Sequence, residues 1–342
     1  MSLGFEQAGF NVVASVDIDP IHTATHERNF PDCKAITADL SKLTGRELRA
    51  ISGLGNKHID VVFGGPPCQG FSLIGRRKLS DPRNKLLFQF ARLVRELQPS
   101  YFVCENVAGL AQGKARKLLD SFVWRIERSG YKVVKPIQKL DASDFGVPQN
   151  RKRVFILGYL RGLPAPRYPQ SLNGSGPHPT VWDAIGDLAG IGIKRSDAFY
   201  GKLPRGSAYA SMLRGARNGD GLTGCLRTEH TPKSIARFRS TKRDGFEPVS
   251  RFHRLSKNGN ANTIRAGTDS TRGSYTAPRP IHPTQPRCIT VREAARLHSY
   301  PDWFHFNETI WHGFRQVGNS VPPFLARSVA GCVSNCVSKE ER

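Results

Sequence analysis

Nowhere does the chain hold eighteen consecutive apolar residues, which excludes a membrane-spanning helix. The N-terminus has no basic segment followed by an apolar core, so no secretory leader is expected and a cytoplasmic protein is inferred. Its seven cysteines are scattered, odd in number and never spaced Cys-x-x-Cys. That pattern argues against a disulfide framework and a structural zinc, and leaves reduced thiols. His22 and His26 stand four apart on an expected helix, but no Glu follows the first, so they read as surface histidines and no metal is expected. No internal repeat or low-complexity tail occurs. Acids are scarce too: 28 Asp and Glu face 51 Lys and Arg, a net charge of +23 over 342 residues. Such an excess points to a polyanionic partner, nucleic acid first, against the alternative of a generally basic solvated surface.

The first 160 residues alternate β-rich runs with helical periodicity, which predicts an α/β fold built on a doubly wound, mostly parallel Rossmann-like sheet. "VVASV" (Val12 to Val16), "DVVFG" (Asp60 to Gly64), "YFVC" (Tyr101 to Cys104), "YKVV" (Tyr131 to Val134) and "RVFILGYL" (Arg153 to Leu160) read as strands. Leu86, Phe90, Leu93, Val94 and Leu97 fall at helical spacing, as do Leu118, Leu119, Phe122, Val123 and Ile126. From Arg161 to Thr180, five prolines and three glycines mark a connection, and a second unit is expected beyond it. Between Gly221 and Asn260, nine Lys or Arg face three acids, with Phe238, Phe246 and Phe252 interleaved. That mixture suits phosphate contacts with apolar filling, the alternative being a solvated, loop-rich face. Regular structure returns with "TVREAARL", where Thr290 and Glu293 form a capping box, and with "GNSVPPFLARSVAGCV", where Pro322 and Pro323 open a helix.

In open parallel sheets ligands bind beyond the carboxyl ends of the strands. Asp17, Asp39, Cys68, Glu105 and Asn106 all stand there. In "VVFGGPPCQGFS" the glycine pair admits a close approach of another molecule, while Pro66 and Pro67 stiffen the exit and aim the thiol of Cys68. A rigid, partly exposed thiol near cationic groups is the setting of a nucleophile, although a small buried filler reads equally well from this stretch alone.

Five blocks in order carry a resemblance: "GGPPCQGFS", "ENV" (Glu105 to Val107), "QNRKR" (Gln149 to Arg153), "REAARLHSYPD" (Arg292 to Asp302) and "GNSVPP" (Gly318 to Pro323). Together they resemble the ordered motifs of DNA (cytosine-5) methyltransferases of the bacterial type, acting in restriction-modification systems or as orphans. The resemblance implies methyl transfer from S-adenosylmethionine to carbon 5 of a cytosine flipped out of a specific double-stranded DNA sequence. It assigns the thiolate that adds to carbon 6 to Cys68 and the carboxyl group on the ring nitrogen to Glu105. Arg151 and Arg153, two apart at the start of a strand and expected to project to one side, are implied to hold the base carbonyl. Asp17 at the ribose, Asp39 at the adenine amine, and Leu86, Asn319 and Val321 lining the pocket are implied donor contacts, joined by Ile18, Leu40 and Pro67. Gln69, Ser72, Arg265, Thr268 and Arg272 are the expected DNA contacts, the last three in the loop Arg265 to Pro280.

The resemblance implies a catalytic domain over 1–180 and 312–342 and a target-recognition domain over 181–311. A monomer is expected, associated with the nucleoid and paired with a cognate restriction endonuclease where one exists. The family pattern begins with a strand and a glycine-rich "FxGxGG" loop. This chain opens at "MSLGFEQAGF", similar to the helix after that loop, so the first strand and donor loop are expected to be missing and activity to suffer. Two rivals follow: an impaired DNA-binding remnant of such an enzyme, and a transfer RNA cytosine-5 methyltransferase. The second carries a "CFT" element where Cys225 here sits in "GCLRT".

Overall fold

A computed structural model describes residues 1–67, 85–172, 178–191, 204–215, 222–268 and 278–337. In chain order the elements are α1 (Ser2–Gln7), β1 (Ala14–Asp17), α2 (Pro20–Asn29), β2 (Lys34–Thr37), α3 (Gly45–Ile51), β3 (Val61–Gly64), α4 (Lys85–Leu97), β4 (Tyr101–Val107), α5 (Arg116–Arg128), β5 (Tyr131–Val133), β6 (Gln138–Asp141), β7 (Gln149–Asn150) and β8 (Lys152–Leu160). There follow α6 (Val181–Ile185), α7 (Ala208–Arg214), α8 (Pro232–Ser240), β9 (Ala261–Asn262), α9 (Val291–Leu297), α10 (Ile310–Asn319) and α11 (Pro323–Ser334). They divide into two compact units, the first of residues 1–141, 152–171 and 326–342, the second of 142–151 and 172–325.

In the first unit, the apolar stripes of α4 and α5 cover one sheet. Leu87, Ala91 and Val94 of α4 and Leu119, Phe122 and Ile126 of α5 bury themselves with Phe102, Cys104, Val154 and Ile156. Gly158 of β8 leaves room for the ring of Phe102, because a Cβ there would lie 2.0 Å from it. A second cluster joins Ile36, Leu48, Leu93 and Leu97 under the β1–β2 pair. Helix starts follow local chemistry: Asp19 caps α2 with Pro20 at its first turn, and Thr44 and Glu47 form a capping box on α3. Gly4 of α1 lies against Ala326, where a Cβ would come within 2.5 Å.

The sheet is mixed where a mostly parallel one was expected. β1 and β2 form a two-stranded parallel pair, and β3 and β4 run parallel, whereas β8 is antiparallel to β4, β5 and β6. Connection length explains this. A parallel return needs a dozen or more residues, commonly a helix. β5 and β6 follow one another along β8, and the return from β6 to β8 spans only residues 142–151, with no α-helix.

The second unit is held by buried charge. Every residue of α9 is buried, including Arg292, Glu293 and Arg296. Arg296 meets Asp302 at 2.6 Å and Asp187 at 2.6 Å, and Arg287 meets Glu293 at 2.7 Å. Arg292 donates to the carbonyls of Thr223, Pro301 and Phe304. Buried charges persist only when so paired. The expected capping box of Thr290 with Glu293 is formed. The unit boundaries lie away from the expected 180 and 312. Gln149 and Asn150 pair in parallel with Ala261 and Asn262, which draws residues 142–151 into the second unit. No periodicity in either segment signals that long-range pairing. Among the described residues no helix is long and apolar enough to cross a membrane.

Candidate functional site

Cys68, Gln69, Ser72 and Arg272 lie outside the described residues. What leads to Cys68 is described. After β3 the chain continues through Gly65 and Pro66 to the exposed Pro67. Asn106 of the neighbouring strand, 3% exposed, donates from Nδ2 to the Pro66 carbonyl at 3.0 Å and accepts from its own Val107 N–H at 2.9 Å. The prolines are thus tied to β4 by a side chain that is itself held. A Cβ on Gly65 would lie 2.7 Å from Oε2 of Glu105, so a side chain at this position displaces the carboxylate.

Glu105 and Arg153 meet on the adjoining ladder. The β4–β8 register places Val107 opposite Arg153 and Glu105 opposite Phe155, making Glu105 and Arg153 diagonal neighbours on one face. Nε of Arg153 lies 2.9 Å from Oε1 of Glu105, with the side chains 14% and 12% exposed. Removing either partner strands a largely desolvated charge, at about 1–3 kcal/mol or more. The pair leaves Oε2 of Glu105 turned toward Gly65.

Two further acids close the β1–β2 pair. Asp17 ends β1 opposite Thr37, and Asp39 follows two residues after it. Oδ1 of Asp17 accepts from the Asp19 N–H at 2.9 Å, and Oδ2 meets Nδ1 of His22 at 3.3 Å. Burial alone would raise the Asp17 pKa, but His22 and the N–H groups of Asp19 and Ile18 outweigh it and hold it below the usual carboxylate value. Oδ1 of Asp39 accepts from the hydroxyl and N–H of Ser41 at 2.7 and 2.9 Å, which lowers its pKa as well. Ile18 is 68% exposed beside Asp17. Leu40 packs on the Ile36 and Leu48 cluster, and Arg92 of α4 holds the Leu40 carbonyl at 2.8 Å. Leu86 is half-buried in the first turn of α4.

In the second unit Arg151 departs from its expected pairing with Arg153. It is 1% exposed, and its guanidinium donates to the carbonyls of Ile264 at 3.0 Å, Gly318 at 2.7 Å and Ser320 at 2.8 Å. Alternation along a strand would have put the two arginines on one side, but the chain leaves β7 for β8 between them and each joins a different unit. Gln149 completes the knot. It accepts from the Ile264 N–H at 3.0 Å and donates to the Leu297 carbonyl at 3.1 Å and to Nδ1 of His298 at 2.9 Å. Nε2 of His298 in turn donates to the Ser320 carbonyl at 3.1 Å, so the partners select the Nε2–H tautomer. A Cβ on Gly318 would lie 2.3 Å from the Ala266 nitrogen, so the end of α10 and the segment 265–266 touch backbone to backbone. From this knot Asn319 and Arg265 are exposed, Thr268 is half-buried, and Val321 is buried.

Sequence reasoning did not foresee this knot, nor the buried carbonyl bonds of Arg292 and the buried ion pairs of Arg296. The signal available was the density of polar residues in "QNRKR" and "REAARLHSYPD". Burial makes poor nucleophiles of five other thiols. Burial pushes Cys225 up to about 12 and Cys288 up to about 11, and raises Cys33, Cys332 and Cys336 as well.

A family model for the C-5 cytosine-specific DNA methylases matches residues 1–335. The Type II methyltransferase M.XorII of Xanthomonas oryzae pv. oryzae is 50% identical over 356 aligned residues, spanning 99% of this chain and 83% of that protein. The Type II methyltransferase M1.HphI of Haemophilus parahaemolyticus is 34% identical over 349 residues, spanning 97% and 83%. Among solved structures, a DNA modification methyltransferase encoded within an E. coli prophage superposes with a TM-score of 0.81 at 33% identity, covering 98% of this chain and 95% of that one. The S. pombe Dnmt2 methyltransferase, at 18% identity and a TM-score of 0.58 over 98% of this chain and 94% of its own, shares the fold. The chain belongs to the C-5 cytosine-specific DNA methyltransferases, and with them to the DNA (cytosine-5-)-methyltransferase class of enzymes.

Proposed function

We propose that this chain methylates carbon 5 of a cytosine flipped out of a specific double-stranded DNA site, with Cys68 as the covalent nucleophile. The observation that carries the reading is the Glu105–Arg153 pair at 2.9 Å beside a Gly65–Pro66 segment tied to Asn106, two residues before Cys68. The Cys68 thiolate adds to carbon 6, which breaks the ring's aromaticity and makes carbon 5 an enamine carbon. Electron density then collects on the ring nitrogen, to which Glu105 gives its proton, and Arg153 offsets the carboxylate charge that results and faces the base carbonyl; once carbon 5 carries the methyl group, loss of its hydrogen as a proton and expulsion of the Cys68 thiolate restore the ring. A base inside a duplex cannot reach the thiol, so the nucleotide must leave the stack. The raised pKa values of Cys33, Cys225, Cys288, Cys332 and Cys336 favour Cys68 as the thiolate.

S-adenosylmethionine suits the donor set. Asp17 and Asp39, held ionised at the carboxyl ends of a parallel strand pair, offer acceptors to ribose hydroxyls and an adenine amine, and the exposed Ile18 offers an apolar face. When bound, the donor supplies an electrophilic methyl group on a sulfonium. Leu40, Pro67 and Leu86 add apolar contacts, and the family resemblance assigns Asn319 and Val321 to the donor as well. Arg151 in this reading is a positioning residue. Target recognition falls to residues 181–311 of the second unit, with Arg265 and Thr268, and with Gln69, Ser72 and Arg272, on DNA. We further propose a monomer that protects the site of a companion restriction endonuclease, in line with the Type II designation of M.XorII and M1.HphI.

The test is methyl transfer from radiolabelled S-adenosylmethionine to cytosine-containing duplexes, with trapping on duplexes containing 5-fluorocytosine. Product 5-methylcytosine, a trapped adduct, and loss of both in Cys68→Ser are expected. Transfer undiminished in Cys68→Ser, or no transfer to any cytosine duplex by the native protein, overturns the reading.

A further inference from the structure

Among the described residues of the second unit, the two most exposed large apolar side chains, Val249 at 69% and Phe246 at 61%, sit on one hairpin. Its ladder runs from Asp244 to Arg254: the Asp244 N–H donates to the Arg254 carbonyl at 2.9 Å, the Arg254 N–H to the Gly245 carbonyl at 2.8 Å, and the Glu247 N–H to the Phe252 carbonyl at 2.8 Å. The tip is stapled from inside. The Glu247 carboxylate, fully buried, accepts from the Val249 N–H at 3.1 Å, from the hydroxyl of Ser250 at 2.5 Å and from the Ser250 N–H, and pairs with Nε of Arg237 at 3.0 Å. Arg251 closes the turn in the left-handed region at φ 60°.

The base of the hairpin is anchored as firmly. Phe252 packs on Phe238, Ile281 and Cys288, and the Ile281 N–H donates to the His253 carbonyl at 2.8 Å. Arg254 donates to the carbonyls of Phe238, Arg239 and Thr241 at the end of α8. Of the three interleaved phenylalanines, Phe238 is therefore core, Phe252 is half-buried against it and Phe246 is exposed. A stapled tip that leaves Phe246 and Val249 in solvent forgoes the stabilisation that their burial would bring.

The charge around that tip has one sign. Between residues 233 and 257 eight Lys or Arg face two acids. Of the acids, Glu247 is held by Arg237 and Asp244 lies 3.0 Å from Nε2 of His253. Lys242, Arg243 and Arg251 are exposed on either side of Phe246 and Val249. Apolar wedges flanked by cations fit a duplex, where side chains lodge against or between base steps while Lys and Arg take the neighbouring phosphates.

We propose that the hairpin Lys242–Arg254 is a DNA arm: Phe246 and Val249 enter a groove of the duplex, and Lys242, Arg243 and Arg251 bind the phosphates beside it. The proposal rests on the reading of the chain as an enzyme of duplex DNA. It is tested in the full-length protein by anisotropy of a fluorescent mixed-sequence duplex across a salt series. Phe246→Ala with Val249→Ser should weaken binding about tenfold, roughly 1.4 kcal/mol, with an unchanged salt slope. Lys242→Gln with Arg243→Gln should lower the slope of log K against log salt by about two. A photocrosslinking amino acid at position 246 should yield a DNA adduct, a readout independent of any shift in melting. Affinities within twofold and unchanged slopes, or crosslinks to protein alone, overturn the arm while native binding and methyl transfer stand. A native protein that binds no duplex overturns the underlying reading together with the arm.

Discussion

Gly65 and Glu105 share the space of one side chain, with Oε2 of the carboxylate 2.7 Å from where a Cβ on residue 65 would stand. Gly65→Ala therefore displaces the carboxylate from its place beside Arg153. Because the obstructing atom is the end of a flexible side chain, folding should suffer little, with the melting temperature lowered by a few degrees. Methyl transfer should fall by about a hundredfold or more, the ordinary worth of a placed proton donor. Steady-state rates beside a thermal melt check this, and near-native turnover would remove Glu105 from the chemistry.

The two arginines of "QNRKR" should separate cleanly. Arg151→Ala leaves the buried carbonyls of Ile264, Gly318 and Ser320 without their donor, so stability should drop by about 3 kcal/mol or more. Lys in its place should not restore it, lacking the planar fork that reaches three acceptors. Arg153→Ala strands the Glu105 carboxylate and should cost less, about 1–3 kcal/mol, while abolishing most methyl transfer. Urea titrations of the three variants with single-turnover rates decide the matter.

Stability should depend on acid through His282. Burial, with Arg287, Arg227 and Arg254 nearby and despite Glu293, lowers its pKa from 6.5 to about 4. Its Nδ1 accepts from the N–H groups of Thr284 and Gln285 at 3.2 Å, which a protonated ring cannot do. Between those two values the unfolded chain binds the proton and the folded one does not, so stability falls as pH falls from about 6.5 to 4. His282→Gln, which keeps an acceptor, should flatten that part of the profile of urea midpoint against pH.

Thiol chemistry offers a direct check on the nucleophile. At neutral pH a limiting alkylating agent should modify Cys68 first, with Cys225 and Cys288, near 12 and 11, inert in the folded protein. Mass spectrometry of the modified peptides reads this. Labelling at Cys225 ahead of Cys68 would contradict the assignment.

Several elements were legible before any coordinates. Leu86 to Leu97 and Leu118 to Ile126 became α4 and α5 because apolar spacing is a local property of the chain. Thr290 with Glu293, and the prolines before α11, announced helix starts by chemistry confined to one turn. Strand direction was less legible: the same β-branched composition serves β4 and β8, which run opposite ways. The role of Arg151 was not legible at all, since its three acceptors lie far along the chain.

By itself the sequence determined which residues stand after strands, where helices begin, and that the molecule carries a large positive charge, all matters of neighbours and composition. Only the tertiary structure decided that Arg153 faces Glu105 while Arg151 is buried among carbonyls, and that Phe246 is left in solvent while Phe238 is core and Phe252 packs against it. The reason is one of range. A side chain's partner is set by which distant backbone arrives beside it, and identical residues two positions apart can meet entirely different surroundings.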